Sequence, residues 1–386
     1  MKYTNSKTII VLSSVNFDDS PYCVYVHDHA KALADQGFHV IVYAALRWIP
    51  FVNFFRKNRK KHYADYKGMK IIDNVEIRYF RQFSISRLFY KSKINFNGIF
   101  YYLGIRKNIK KVIENDNILF IDAHTFRIEG YVAMILKKKF NIPTTITIHG
   151  TSFRNNLCFE NGLQMIKKIC SSVDFVICVS DKLQSILNDM DIKNTKVIYN
   201  GSLMQPLTED IQKKPFSIIS VGNLIPQKNH LLLIKAVEIL HKQYPYITLN
   251  ILGDGIERER LKQYIVEHHM NDYVSLLGKV ENEEVCKQMK ERKIFILTSI
   301  NEGFGIVYIE AMLNKCITVG TINEGIDGFI KDSINGFLIE PSVTAIIAIV
   351  EKIFNSNCSN LIDRGLSDAS KLTWQNNSKN YINLFH

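Results

Sequence analysis

Apolar, β-branched runs alternate with helix-period segments along almost the whole chain, and this rhythm constrains the fold more than any other feature. In the first half the strand candidates are TIIVLSS, FHVIVYAA, VEIRYF, NILFIDAH, TTITIH and DFVICVS. Amphipathic stretches lie between most of them, such as Val24 to Gln36 and Gly130 to Phe140. The second half repeats the pattern with FSIISVG, ITLNILG, YVSLLG, KIFILTS and CITVG, separated by helices such as His230 to Lys242 and Glu257 to His268. Strand, crossover helix, strand is the signature of a parallel sheet covered on both faces. Two such sheets are expected, and 386 residues at 46% hydrophobic content suffice for two cores. The polar stretch Leu203 to Pro215, with two prolines and no period, is the expected linker.

The opening apolar run KTIIVLSSV is too short to span a bilayer, lacks a small-residue cleavage site and leads into Asp18 and Asp19. It reads as a strand, so the chain is expected to act inside the cell. The seven cysteines (Cys23, Cys158, Cys170, Cys178, Cys286, Cys316 and Cys358) include no Cys-x-x-Cys pair, which argues against a disulfide framework or a zinc knuckle. The net charge of +12 is unevenly placed: residues 1–205 carry 30 Lys and Arg against 16 Asp and Glu, while the remainder is slightly acidic. Arg47 to Lys111 holds the whole excess, with 17 basic residues against 3 acidic. There Trp48, Ile49, Phe51, Val52, Phe54 and Phe55 precede Arg56, Lys57, Arg59, Lys60 and Lys61. Aromatic groups that bury at an interface, beside cations each attracted to anionic lipid by about 1 kcal/mol, suggest a face that docks on an anionic membrane surface. A solvated basic loop is the alternative; no nucleic-acid module accompanies the patch, so no nucleic-acid partner is expected.

Ligands of open parallel sheets bind where strands run into helices. The first such turn, SSVNFDDSPY, has no glycine, and without a G-x-G-x-x-G fingerprint a nicotinamide or flavin enzyme is not expected. The turns of the second half are richer: SVGNLIPQKNH, LGDGIERERL, LLGKVENEEV and NEGFGIVYIEAM. Glycine lets a backbone approach a ligand closely, and helix N-termini favour phosphate oxygens. A phosphorylated ligand is expected.

These turns, in this order and spacing, resemble the donor half of retaining glycosyltransferases of family 4, which have the two-domain GT-B fold. ITIHGTS, VICVSDKL, KVIYNG and INGFLIEP extend the similarity over most of the chain, and Gly325 to Pro341 looks most like members that build bacterial capsular or cell-wall polysaccharides. The resemblance implies two Rossmann-like domains facing a central cleft: an acceptor- and membrane-binding domain over residues 1–205, a donor-binding domain over 206–365, and a C-terminal helical segment over 366–386 that crosses back to the first domain. By the same resemblance Glu302 faces the donor sugar, Glu310 accepts from the ribose hydroxyls, and the backbone of Gly303, Phe304, Gly305 and Ile306 receives the diphosphate. Lys228 is the phosphate-binding lysine, and Gly222, Asn223, Gly253 and Asp254 belong to the donor turns. Gly278, Lys279 and Val280 read the base. His149 stands near the donor sugar with Gly150, and His124 is a weaker candidate for a similar role. Each acid alone could equally be a surface acid on an amphipathic helix, Lys228 a solvated cap and either histidine structural.

Cleaving a sugar–phosphate bond builds charge on the departing diphosphate, which a fixed cation stabilises most where water is excluded. Asn223 stands where many family members have arginine and brings no charge, so more of that burden falls on Lys228. Two helical glutamates eight residues apart would lie ~12 Å apart along the axis, beyond the roughly 5–9.5 Å of a glycosidase pair. The D-x-D match at Asp189 to Asp191 lies near a helix end, away from the phosphate turns, and no His/Cys cluster has ligand spacing, so no metal or other cofactor is expected. The expected activity is retaining, metal-independent transfer of a hexosyl unit from a nucleotide-diphosphate sugar, most simply a UDP-sugar, to a lipid-linked or polysaccharide acceptor at the cytoplasmic membrane face. A nucleotide-sugar epimerase of the same fold, or a non-catalytic subunit of a transferase complex, remains open.

Overall fold

The computed structural model describes residues 7–14, 24–48, 68–84, 94–150, 153, 157, 160–208 and 211–385. The chain divides into two compact units. One comprises Met1–Val179, Leu183–Gly201 and Trp374–His386; the other comprises Ser180–Lys182 and Ser202–Thr373.

The first unit is built on an eight-stranded sheet. Its strands in chain order are β1 (Thr8–Ser13), β2 (His39–Trp48), β3 (Gly68–Ile72), β4 (Val75–Phe83), β5 (Ile118–His124), β6 (Thr144–Ile148), β7 (Phe175–Cys178) and β8 (Thr195–Val197). Their spatial order is β3-β4-β2-β1-β5-β6-β7-β8. Every residue of β1 is buried, as expected of a central strand covered on both faces. Toward the edge, β4 alternates buried and partly exposed positions, so one face meets the core. The last turns of the chain complete this core: Phe385 stacks on Phe120 at 4.8 Å between centroids, and Tyr381 and Ile382 are buried in the same cluster.

The second unit carries β9 (Lys214–Val221), β10 (Thr248–Leu252), β11 (Val274–Gly278), β12 (Arg292–Ile296), β13 (Ile317–Thr321) and β14 (Phe337–Ile339) in the order β11-β10-β9-β12-β13-β14. All of its pairings are parallel. Its core draws Ile218, Leu249, Ile251, Ile294 and Val319 from the strands and Leu233, Val237 and Leu240 from the helix His230–Gln243.

Two parallel α/β units are thus present, with differences in detail from the sequence reading. The first sheet also holds one antiparallel strand: β3 pairs with β4 through a tight turn at Asp73 and Asn74, both at positive φ as a two-residue hairpin requires. The strands β8 and β14 span three residues each, too few to register a period. Within the Leu203 to Pro215 stretch, expected as a linker, Leu207 and Lys213 are tied to the second unit. Leu207 N–H donates to the Leu313 carbonyl at 2.8 Å, and the Lys213 ammonium donates to the carbonyls of Met289 and Asn314 at 2.8 and 2.5 Å. Ser202 N–H donates to the Leu372 carbonyl, so the second unit begins at Ser202 and runs to Thr373.

Candidate active site

In the second unit the ends of β9, β10 and β11 are stitched together by their own backbone. Gly222 N–H donates to the Leu252 carbonyl at 2.9 Å, and Gly253 N–H to the Gly278 carbonyl at 2.8 Å. Gly253 has φ +138°, and a Cβ built there would stand 1.9 Å from the Gly222 carbonyl oxygen, so only glycine allows this approach. Asp254, exposed, accepts the Gly255 N–H, and Leu224 N–H donates to the Asp254 carbonyl. Three expected donor turns are therefore brought side by side.

Past Gly222 the chain makes a 3-10 turn over Pro226–Lys228, and the Lys228 side chain folds back along Gly222. Its ammonium forms an ion pair with the Glu302 carboxylate, both groups largely buried. The backbone N–H of Glu302 donates to the Glu324 carboxylate at 3.1 Å, fixing the loop that follows β12. A Cβ on Gly325 would stand 2.3 Å from the Gly303 carbonyl oxygen, so the 321–328 segment packs directly on the Glu302–Gly303 backbone. The helix Ile306–Leu313 opens from Gly305, and the N–H groups of its first turn point along the axis toward that end. Glu302 lies outside the helix and Glu310 inside it, so the two acids are not stacked along one axis.

Glu310 is partly buried, and its carboxyl group makes no hydrogen bond or ion pair among the described residues. Burial alone raises its pKa to about 7. His230 is buried at the start of its helix, and desolvation, then the nearby Lys228 charge, lower its pKa to about 4. It stays neutral at physiological pH. Asn223 and Lys279 are exposed, while Phe304 is buried.

In the first unit, β5 and β6 run side by side with Asp122 opposite Thr145 and His124 opposite Thr147. Because side chains two residues apart share a face, Asp122 and His124 line up with Thr145, Thr147 and His149. His124 Nδ1 and His149 Nε2 lie 3.0 Å apart, and the His149 ring packs on Tyr25 at 4.1 Å between centroids. Burial, then the His124 charge, hold the His149 imidazole well below its ordinary pKa, so it is a neutral ring here.

Some participants escaped the sequence reading. Glu324, Arg258 and Asp122 were not singled out. Arg258 opens the helix Arg258–Glu267, and its guanidinium lies beside Gly278, 4.0 Å from the Asp254 carboxylate. The period-2 spacing of Asp122 and His124 was the signal available for Asp122. Neither Glu324 nor Arg258 carries a comparable local mark. The expected membrane and acceptor residues Phe54, Phe55, Arg56, Lys57, Arg59, Lys60 and Lys61 lie outside the described residues; Trp48 closes β2, and its side chain lies outside them too.

The strand-end geometry accords with what sequence comparison finds. Residues 207–368 match the family model described as glycosyl transferases group 1, and residues 24–202 match that of Glycosyltransferase Family 4. The chain belongs to glycosyltransferase family 4. Its fold is GT-B, and it is a glycosyltransferase by family. It is 26% identical over 91% of its length to the uncharacterized glycosyltransferase MJ1178 of Methanocaldococcus jannaschii, covering 90% of that protein. It is 33% identical over 55% of its length to a Campylobacter jejuni 4-alpha-N-acetylgalactosaminyltransferase named for an N-acetylgalactosamine-N,N'-diacetylbacillosaminyl-diphospho-undecaprenol substrate, covering 60% of it. The chain spans about half the length of the streptococcal peptide N-acetylglucosaminyltransferase subunits that it also matches. Among solved structures, Anabaena Alr3699/HepE in complex with UDP and glucose aligns with a TM-score of 0.71 at 18% identity, over 98% of both chains, a likeness of fold.

Proposed function

We propose that this glycosyltransferase moves a hexosyl unit from a UDP-sugar to a lipid-linked or polysaccharide acceptor of bacterial surface-polysaccharide synthesis, with retention at the anomeric carbon. The observation that carries the reading is the Lys228–Glu302 ion pair set against the glycine-built ends of β9 and β10. Without ligand the two charges neutralise each other. An arriving diphosphate competes for the ammonium, and Glu302 is then released toward the sugar. Lys228 holds the developing negative charge as the anomeric C–O bond to phosphate breaks, where a hydrogen bond to a charged group contributes about 1.5–3 kcal/mol. The acceptor oxygen bonds to the same face of that carbon, and its proton passes to the departing phosphate oxygen. Glu310, with no other partner for its carboxyl group among the described residues, takes the ribose hydroxyls. The Campylobacter relative, whose name contains a diphospho-undecaprenol substrate, supports the acceptor class, and the UDP-bound Anabaena neighbour supports the base.

The test is a thermal-shift panel of UDP, GDP, ADP and their common sugars against wild type and Glu310→Ala. A ligand at ~100 times its Kd stabilises by about 2.7 kcal/mol. UDP compounds alone are expected to shift the wild type, and the variant should lose the shift. A purine nucleotide giving the larger shift overturns the UDP assignment, and an inverted anomeric configuration in the product NMR spectrum overturns retention. No catalytic metal enters the step as proposed, so added Mg2+ or Mn2+ should leave the transfer rate unchanged.

A further inference from the structure

Three side chains from two separate elements of the first unit converge on one buried point. His29 comes from the helix Val24–Asp35, and Asp122 and His124 come from β5. They are 1%, 0% and 3% exposed. One ligand-type atom from each residue lies within 4.8 Å of the other two. His29 Nε2 is 3.3 Å and His124 Nε2 is 2.9 Å from Asp122 Oδ2. Yet none of these three buried atoms makes a hydrogen bond. Groups that stand this close without directing their N–H bonds at one another are arranged like ligands aimed at a common centre.

The surroundings carry the same signature. The Asn377 amide nitrogen donates to the Tyr199 carbonyl at 2.8 Å, which turns its oxygen toward His29 Nδ1, also at 2.8 Å. Nδ1 of His29 therefore carries the proton, and its Nε2 is free to present a lone pair. Asp122 Oδ1 accepts from the hydroxyls of Thr145 at 2.7 Å and Thr147 at 3.3 Å, leaving Oδ2 as the inward oxygen. His124 Nδ1 meets His149 Nε2 at 3.0 Å. Histidines whose far nitrogen is held by a second group, and a carboxylate whose outer oxygen is hydrogen-bonded, are how proteins orient metal ligands.

We propose that His29, Asp122 and His124 form a binding site for a divalent transition ion of the zinc type. Zinc bonds of ~2.0–2.1 Å in a tetrahedron set ligand atoms ~3.3 Å apart, close to the spacings from Asp122 Oδ2 to the two imidazoles. Two imidazoles and one carboxylate suit zinc, with the fourth position left for water. No ligand spacing is visible along the chain because His29 lies 93 positions before Asp122; the sheet and helix bring them together. The site pins the first helix of this unit to β5 and, through Asn377, to the helix Trp374–Ile382. Lys228, Glu302 and Glu310 belong to the second unit and are not among its ligands.

The test uses the full chain, stripped with a chelator and titrated with Zn2+ against a competing dye, and in parallel with Co2+ read by visible absorption. One zinc per chain, four-coordinate cobalt bands and a higher melting temperature on zinc addition are expected. His29→Gln and Asp122→Asn should each remove the cobalt bands, and Asn377→Ala should weaken zinc affinity ~10- to 100-fold. Glu302→Gln, in the other unit, should leave zinc binding unchanged. Wild type that binds no zinc, shows no four-coordinate cobalt bands and melts at the same temperature with and without zinc overturns the proposal, whether or not the variants fold. Binding retained in both His29→Gln and Asp122→Asn overturns it as well.

Discussion

Lys228 and Glu302 stand 74 residues apart in sequence and share one ion pair. Each is the other's counter-charge; in the proposed step a diphosphate takes over Lys228, so Lys228→Ala is expected to lower kcat/KM for transfer about ten- to a hundredfold, read from initial rates with saturating acceptor. Glu310 offers a sharper signature. Its pKa is raised from 4.5 to about 7 by burial, so the stability it contributes is fully present below pH 4.5 and is lost as pH rises through about 7. Glu310→Gln removes this dependence; urea titrations at pH 4.5 and 8 should show the wild type losing on the order of 1–3 kcal/mol more than the variant. In the proposed contact the ribose hydroxyls donate to the ionised form, so UDP binding should release a proton near pH 7. Calorimetry in two buffers of different ionisation enthalpy would give different apparent heats for wild type and equal heats for Glu310→Gln. Equal heats for the wild type would detach Glu310 from the ribose.

Among the elements, the β9–β10 ends depend on glycine at 253. Gly253→Ala meets both an unfavourable φ and the Gly222 carbonyl, whereas Gly37→Ala meets an unfavourable φ of +90° in open space. Denaturation should show a loss of about 1–2 kcal/mol for Gly37→Ala and a distinctly larger one for Gly253→Ala, together with weakened nucleotide binding only in the latter. The positions of β9, β10 and β11 and of the helix His230–Gln243 were legible in the sequence within a residue or two, because each strand's apolar run stops at or beside a glycine and the helix follows Asn229. The hairpin strand β3 was not: Met69 and Ile71 are exposed on it, so the strand lacks the one-sided burial that leaves a period. Leu203 to Pro215 reads as linker because the anchors at Leu207 and Lys213 are a backbone group and a side-chain tip, which leave no trace in an apolar pattern.

At the scale of the whole molecule, the chain ends in the unit where it began. Tyr381 bonds Thr147 at 2.7 Å and Phe385 covers Phe120, so removal of residues 374–386 should unfold or expose the first unit to protease while the second unit keeps its nucleotide-dependent thermal shift. No helix among the described residues is long and apolar enough to cross a membrane. Membrane docking is proposed through the basic aromatic segment near Arg56–Lys61 instead; co-sedimentation with anionic vesicles should fall with added salt and with the five cations replaced by glutamine. The two parallel α/β units, the positions of the glycine-bearing turns and the family were legible in the sequence alone, since each rests on local periodicity or on short contiguous motifs. Tertiary packing set which groups face each other: the Lys228 ammonium with Glu302, Glu302 N–H with Glu324, and the His29 imidazole with the Asp122 carboxylate. Those pairings join residues dozens of positions apart through strand order and helix placement, and a one-dimensional pattern carries no term for a contact made by the packing of distant segments.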